Sequence, residues 1–490
     1  MSNQEMLLKG YGLEKSTAAD VFYWFLSYSC IPHPSGHCAA GAAFIKQFAE
    51  QRGLRCRMDD SYNVIIWKNA SPGREGEAPV MLQGHLDMVA AREAASEFNF
   101  VTDSLKIRRK DDFLYAEGTS LGGDNAIAVA YMLAILADDS LSHPALECVF
   151  TSDEEIGLIG AAALDCSDLK STRLINLDTD EEDSFFIGCA GGVRADGRLP
   201  LSCGDAPANA AGVRVCTDGL LGGHSGADIH KNRANANFLM LGLLDRLLTR
   251  VGDVGLCEFS GGLADNAIAA EASMLLVVED EKKEAVRNEI LAACGEWTEL
   301  YPNERGLRIV TEEIDAPPCF WGLRADEIHP LAALPQGVTA MSTQVPGLVE
   351  TSMNLGTIRL SEGALCFGYS VRSSVDASRD ALRDRICDTF SLAGGTCTCS
   401  GEYPGWPVRT GSVLQQRCKE LYRELTGREA RLMAVHAGLE CGIFCRKMPQ
   451  LDIISFGPAM FDIHSCRERL QISSVERYYG FLKTLLNSMI

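Results

Sequence analysis

Three short apolar runs in the first part of this chain each stop at a histidine or at acids. Residues 80–82 lead into Gly84-His-Leu-Asp87, residues 147–150 into Ser152-Asp-Glu-Glu155, and residues 174–177 into Asp178. Runs of this length, closed by polar residues, read as buried strands of an α/β sheet. Between them, residues 126–136 are small and apolar without alternation, the character of a packed helix. In open α/β sheets ligands gather beyond the carboxyl ends of the strands, so the polar residues that close each run are where chemistry is expected.

This pattern holds to about residue 188, where the turn-rich Gly188-Cys-Ala-Gly-Gly-Val-Arg marks a shift in composition. From there to about residue 401 come β-like segments (212–216, 273–278, 365–372) and two long helical patterns (235–250, 280–301), an α+β arrangement. After Glu402-Tyr-Pro-Gly-Trp-Pro the sequence predicts a helix at 414–426, a strand at 453–456, a loop carrying His464 and a final helix. With 490 residues and about 150 residues per domain as a guide, the expected architecture is an α/β catalytic domain. It would have a mixed sheet with helices on both faces, be assembled from residues 1–188 and 402–490, and be interrupted by an α+β domain at 189–401.

A formal charge of −21 argues against nucleic-acid and anionic-membrane partners, which an acidic surface repels. Residues 1–17 carry Glu and Lys and no long apolar segment, and residues 21–31 are too short to span a bilayer. Nineteen cysteines, an odd number, in a long chain of this kind read as reduced cytosolic thiols. The expectation is a cytoplasmic protein.

Five candidate metal ligands stand after apolar runs or in loops: His85, Asp124, Glu155, Asp178 and His464. Mixed nitrogen and oxygen donors suit Zn2+, with Mn2+ or Co2+ as replacements. In extended backbone residues i and i+2 share a face, so Asp87 lies beside His85 and can fix its tautomer for a metal. A plain ion pair at a strand end is the alternative. Three acids after a buried strand repel one another unless a positive charge sits there, although acids also suit a helix N-terminus. Strand alternation would turn Glu155 to a metal and Glu154 to a water. Thr119-Ser-Leu-Gly-Gly-Asp124-Asn125 is a glycine-rich loop opening a helix, but it lacks the Gly-Lys-Ser/Thr and G-x-G-x-x-G patterns of phosphate cradles. Asp124 there is either an N-cap or a carboxylate that bridges two cations.

Taken in order, Gly84-His-Leu-Asp87, Gly122-Gly-Asp124-Asn125, Ser152-Asp-Glu-Glu155, Asp178 and His464 resemble the dizinc metallopeptidases that include carnosinases and aminoacylases. Further stretches resemble the aminoacyl-histidine (Xaa-His, cytosolic non-specific) dipeptidases within that family. These are Ala116-Glu-Gly-Thr-Ser-Leu-Gly, Ile187-Gly-Cys-Ala-Gly-Gly, Gly223-His-Ser-Gly, Tyr403-Pro-Gly-Trp and His436-Ala-Gly-Leu-Glu-Cys-Gly. The resemblance spans nearly the whole chain. It implies two divalent ions, one held by His85 and Asp178, the other by Glu155 and His464, with Asp124 between them. Asp87 would orient His85, and Glu154 would be the general base toward a shared, activated water. The middle domain would be a lid and dimerisation element whose His224 stabilises the oxyanion, in a homodimer acting on small peptides.

Arg372 follows the apolar 367–371 segment and offers a bidentate fork for a dipeptide carboxylate, with a surface salt bridge as the alternative. Asn266 resembles a substrate-contacting asparagine of the family, and Gly438 and Glu440 are candidates for lining the site near the substrate's amino end. After Asn266-Ala-Ile this chain has Ala269-Ala-Glu, where relatives often have Pro-Arg-Glu, which leaves the shape of that loop open. Related amidohydrolases (aminoacylase, carboxypeptidase) and an inactive metal-binding scaffold are the competing readings, and every expected catalytic position is filled. Cys30, His33, His37 and Cys38 imitate a zinc set with the wrong spacing. Cys397 with Cys399, and Cys441 with Cys445, read as small apolar packing residues.

Overall fold

The computed structural model describes residues 2–489. The chain forms two compact units: Met1–Gly188 with Val408–Ala434 and Leu439–Ile490, and Cys189–Pro407 with Val435–Gly438. Return to the first unit falls at residue 408 instead of 402. Strand Thr396–Tyr403 stays paired with Gly191–Pro200 as far as Tyr403, and Trp406 bridges to Cys189. Val435–Gly438 goes with the second unit because the Ala190 N–H donates to the carbonyls of Val435 and Ala437.

The first unit is a mixed α/β structure built on an eight-stranded sheet. Its centre is four parallel strands in the order Leu146–Thr151, Val80–His85, Arg173–Asn176 and Asp452–Ser455. Antiparallel strands flank them, Val64–Lys68 on one side and Ser184–Cys189 on the other. Val80–His85 and Leu146–Thr151 are buried at every position, so both of their faces are covered. Helix Gly123–Ala137 supplies part of that cover and is itself buried from Asn125 to Leu136, as expected of a helix apolar all round. It can sit this close only because residue 84 is glycine: a Cβ there would lie 2.5 Å from that of Ala128. Phe185, Tyr422, Phe456 and Phe481 close the core with ring centroids 5.1–6.0 Å apart.

The second unit is α+β, with an eleven-stranded sheet whose strand pairs, among the described residues, are all antiparallel. Helix Ala236–Arg250 is capped by Asn235, whose side chain accepts the Phe238 N–H. Its Leu239, Leu243 and Leu247 are buried in one core with Met274, Leu276 and Phe367. The expected helix at 280–301 begins as a 3-10 turn, Asp280–Lys282, and is α-helical over Lys283–Leu300. Thr396–Tyr403 ends the sheet's main strand order as an edge strand. Among the described residues no helix is long and apolar enough to cross a membrane.

Candidate metal centre

The parallel strands bring their last side chains to one end of the first unit's sheet. His85 is the final residue of Val80–His85, and Asp178 follows Arg173–Asn176 by two residues. Glu154 and Glu155 follow Leu146–Thr151, Asp124 opens helix Gly123–Ala137, and His464 sits in the loop joining the paired strands Met460–Phe461 and Arg469–Gln471. The donor atoms converge. His85 Nε2 lies 3.0 Å from Asp124 Oδ1 and 3.4 Å from Asp178 Oδ1. His464 Nε2 lies 3.3 Å from Asp124 Oδ2 and 2.9 Å from Glu155 Oε1. The two oxygens of Asp124 therefore face two different imidazoles. One atom each from His85, Asp124 and Glu155 fall within 4.8 Å of one another.

These donors fit a cation. Glu155 Oε1 is buried and makes no hydrogen bond, although the His464 ring nitrogen is 2.9 Å away. A buried acceptor left in that state is satisfied by a positive charge shared with its neighbour.

Asp87 does more than the i, i+2 argument predicts. Its Oδ1 is 3.4 Å from His85 Nδ1, its backbone carbonyl 3.1 Å from the same nitrogen, and it is wholly buried. The carboxylate also accepts the Glu154 N–H at 3.0 Å and the Ser35 hydroxyl at 2.8 Å. The expected alternation of Glu154 and Glu155 along a strand is wrong in its origin. The strand ends at Thr151, Asp153 adopts φ +51°, and the two glutamates are placed by a turn. Asp153 anchors that turn by accepting the Gly36 N–H at 2.7 Å and the Cys38 thiol at 3.1 Å.

So many acids in one place change their proton affinities. Burial pushes the Glu154 carboxyl well above its ordinary range, and Asp178, Glu440 and Glu155 add to this against the pull of His85. Asp178 rises to about 6, by burial first and then by Asp124 and Glu155. Burial alone would lower His85, but Asp178, Asp124 and Asp87 hold it well above the usual imidazole value. His464 rises to about 10 through its contacts with Asp124 and Glu155. Proton-loaded imidazoles among crowded carboxylates mark a place built for positive charge.

Three supports of the centre escape sequence reasoning because their partners lie far along the chain. Glu468 accepts the backbone N–H groups of Leu121, Gly122, Gly123 and Asp124 at 2.7–3.3 Å, clamping the loop that carries Asp124. The Asn125 amide donates to Asp178. Glu440, expected beside the substrate, is instead wholly buried: its Oε2 accepts Gln83 Nε2 and the Thr151 hydroxyl at 2.5 and 2.7 Å. Asn176 in turn donates to Gln83 at 2.6 Å. Gln83, Thr151 and Asn176 lie on the three strands that lead to His85, Glu155 and Asp178, so this network sets the register of those ends.

His224, Asn266, Arg372 and Gly438 belong to the second unit. The strand pair Gly223–His224 and Ala267–Ile268 presents an exposed His224. Its Nδ1 accepts the N–H groups of Gly226 and Ala227 at 3.1 and 3.0 Å. That leaves the proton of a neutral ring on Nε2. Burial and then Arg372 keep the ring's proton affinity below normal, against Asp228. Arg372, nearly buried, donates to the Tyr403 hydroxyl at 2.9 Å, while its Nε has no partner. Gly438 is required by the same tyrosine, since a Cβ would lie 2.8 Å from the Tyr403 ring. Asn266 is exposed, and its carbonyl accepts the Ser225 N–H at 2.8 Å. Tyr403 thus ties Arg372 to Gly438, a link the sequence did not reveal.

Against this geometry, residues 81–488 match peptidase family M20/M25/M40. The chain belongs to that family. This M20 peptidase is 33% identical over 473 residues to the cytosol non-specific dipeptidase of Escherichia coli (strain K12), covering 95% of this chain and 96% of that protein. Its fold matches the crystal structure of aminoacylhistidine dipeptidase from Vibrio alginolyticus with a TM-score of 0.92 at 32% identity, covering 99% of each chain. A tripeptidase from Staphylococcus aureus shares the fold alone, at 15% identity and a TM-score of 0.55 over 96% of this chain and 98% of that one. M20 metallopeptidases bind divalent metals, and the His85, Asp124 and Glu155 group is a donor set suited to them.

Proposed function

We propose that this M20 peptidase is a dipeptidase that cleaves Xaa-His and other dipeptides with two divalent cations. Zn2+ suits the donor set best, with Mn2+ or Co2+ as replacements. The observation that carries the dinuclear reading is the division of Asp124 between His85 and His464. The resemblance of the chain to dipeptidases over its whole length supports the substrate class.

His85, Asp178 and one oxygen of Asp124 would hold one ion; Glu155, His464 and the other oxygen would hold the second. Ions held there supply Lewis acidity toward the scissile carbonyl and toward a water. Glu154 takes the proton of that water and returns it to the leaving amine, a task suited to a carboxyl whose proton affinity burial has raised. Asp87 holds His85 by Nδ1, so that Nε2 would be the nitrogen offered to an ion, and its carboxylate fixes the Glu154 turn by accepting the Glu154 N–H. In the second unit, His224 offers its Nε2–H to the developing oxyanion. Arg372 takes the dipeptide carboxylate, and Asn266 and Gly438 complete the substrate contacts. The second unit serves as lid and dimerisation element of a homodimer, and the protein works in the cytoplasm, as the name of the Escherichia coli relative supports.

The test is a substrate panel with metal-loaded protein. Free dipeptides, Xaa-His among them, should be hydrolysed, whereas N-acylated amino acids should not. Preference for the N-acylated compounds would replace the dipeptidase reading with an aminoacylase.

A further inference from the structure

Cys397 and Cys399 were expected to pack as small apolar side chains, but Cys399 is exposed and Cys397 only half-buried. Both alternate onto the face of Thr396–Tyr403 that meets Cys387, ten residues back on helix Asp376–Leu392. Cys387 Sγ and Cys399 Sγ are 3.5 Å apart, and all three sulfurs lie within 4.8 Å of one another. A zinc–sulfur bond of about 2.3 Å places three sulfurs around one ion about 3.8–4.0 Å apart, so the three thiols already stand at nearly the required spacing. Burial, and then Cys387, pushes the Cys399 thiol up to about 11, against Cys397 and Arg383, which lies one helical turn before Cys387. Nearby, the buried Tyr369 hydroxyl has no hydrogen-bond partner, and after burial it is Cys397 that raises its proton affinity.

We propose that Cys387, Cys397 and Cys399 form a separate trithiolate site for a thiophilic cation of the Cd2+, Cu+ or Zn2+ class. Its donors are all sulfur, whereas the centre of the first unit offers only nitrogen and oxygen, so the two sites select ions of different softness. On binding, three thiols release three protons to solvent and three metal–sulfur bonds form; no oxidant is involved. The ion joins the edge strand Thr396–Tyr403 to helix Asp376–Leu392. It thereby ties down an edge that pairs with only one neighbouring strand, Gly191–Pro200.

The probe is Cd2+, added to zinc-loaded protein with a phosphine reductant present and followed by thiolate-to-cadmium charge-transfer absorbance. One saturable equivalent is expected in the wild type, with a rise in thermal stability. Cys399→Ser, at an exposed position, and Cys387→Ser should each weaken that binding at least about tenfold and abolish the rise. Cys203→Ser, outside the cluster, should change neither, and circular dichroism confirms that each variant is folded. Equal Cd2+ signals in the wild type and in both cluster variants would overturn the site. So would the absence of a signal, or a Cys387–Cys399 disulfide in protein purified under reductant.

Discussion

Glu154 stands among Asp178, Glu155 and Glu440 with little water to screen it, so its carboxyl keeps a proton far above the pH at which an exposed glutamate loses one. A base with that affinity can both accept a proton from water and give it up to an amine. Glu154→Gln keeps the shape, and its backbone contact to Asp87 does not involve the side chain. It should lower kcat by about 10²–10⁴ while leaving metal content and melting temperature near those of the wild type, as turnover and metal analysis on one preparation would show. His464 leads to a pH prediction. Its imidazole, raised to about 10 by Asp124 and Glu155, carries a proton at neutral pH in the metal-free protein, and a cation must displace it. Because the folded value is raised, the stability this proton lends is complete below the ordinary histidine range and is lost as pH climbs toward 10. Metal affinity accordingly rises with pH over that interval. Calorimetric titration in two buffers of different ionisation heat should show net proton release at neutral pH; no release would contradict the ligand role of His464.

The centre depends on loops and strand ends more than on any one helix. The loop with Leu121, Gly122 and Gly123 owes its form to a carboxylate over three hundred residues away, Glu468, in the same hairpin loop as His464. Burial and then Asp124 raise Glu468 to about 7, against the N–H groups it accepts. Glu468→Gln turns an amide NH2 toward those donors. It should weaken metal binding about 10–100-fold with the secondary structure intact, measurable by competition with a chromophoric chelator. Strands and helices here were legible because apolar runs of three or four residues and the fully apolar stretch 126–136 leave few alternatives. The convergence of four of the five candidate ligands was legible because His85, Glu155 and Asp178 close or follow apolar runs and Asp124 opens a helix; His464 sits in a hairpin loop. What was not legible is everything a local pattern cannot encode: the turn at Asp153, set by Gly36 and Cys38; the clamp by Glu468; and the burial of Glu440 under Gln83 and Thr151. Each of these joins residues more than one hundred positions apart.

At the scale of the molecule, the large cores of the two units share no residue, so each unit is expected to unfold as a cooperative unit of its own. All five proposed ligands belong to the first. A bound ion stabilises only the unit that holds it, by about 4 kcal/mol at a thousand times its dissociation constant. Scanning calorimetry should therefore show two transitions, and a chelator that strips the nitrogen and oxygen centre should lower one of them and spare the other. The break near residue 188 was visible as a change in composition. The return at 408 and the excursion at 435–438 were not, because they depend on a strand that runs on to Tyr403 and on carbonyls that satisfy Ala190.

The dinuclear reading requires one carboxylate, Asp124, to serve two cations. Anomalous diffraction at the zinc edge from crystals of the zinc-loaded protein tests it most directly. Two peaks are expected on the two sides of that carboxylate, one beside His85 and Asp178, the other beside Glu155 and His464. A single fully occupied peak, or two peaks neither of which touches Asp124, would contradict it.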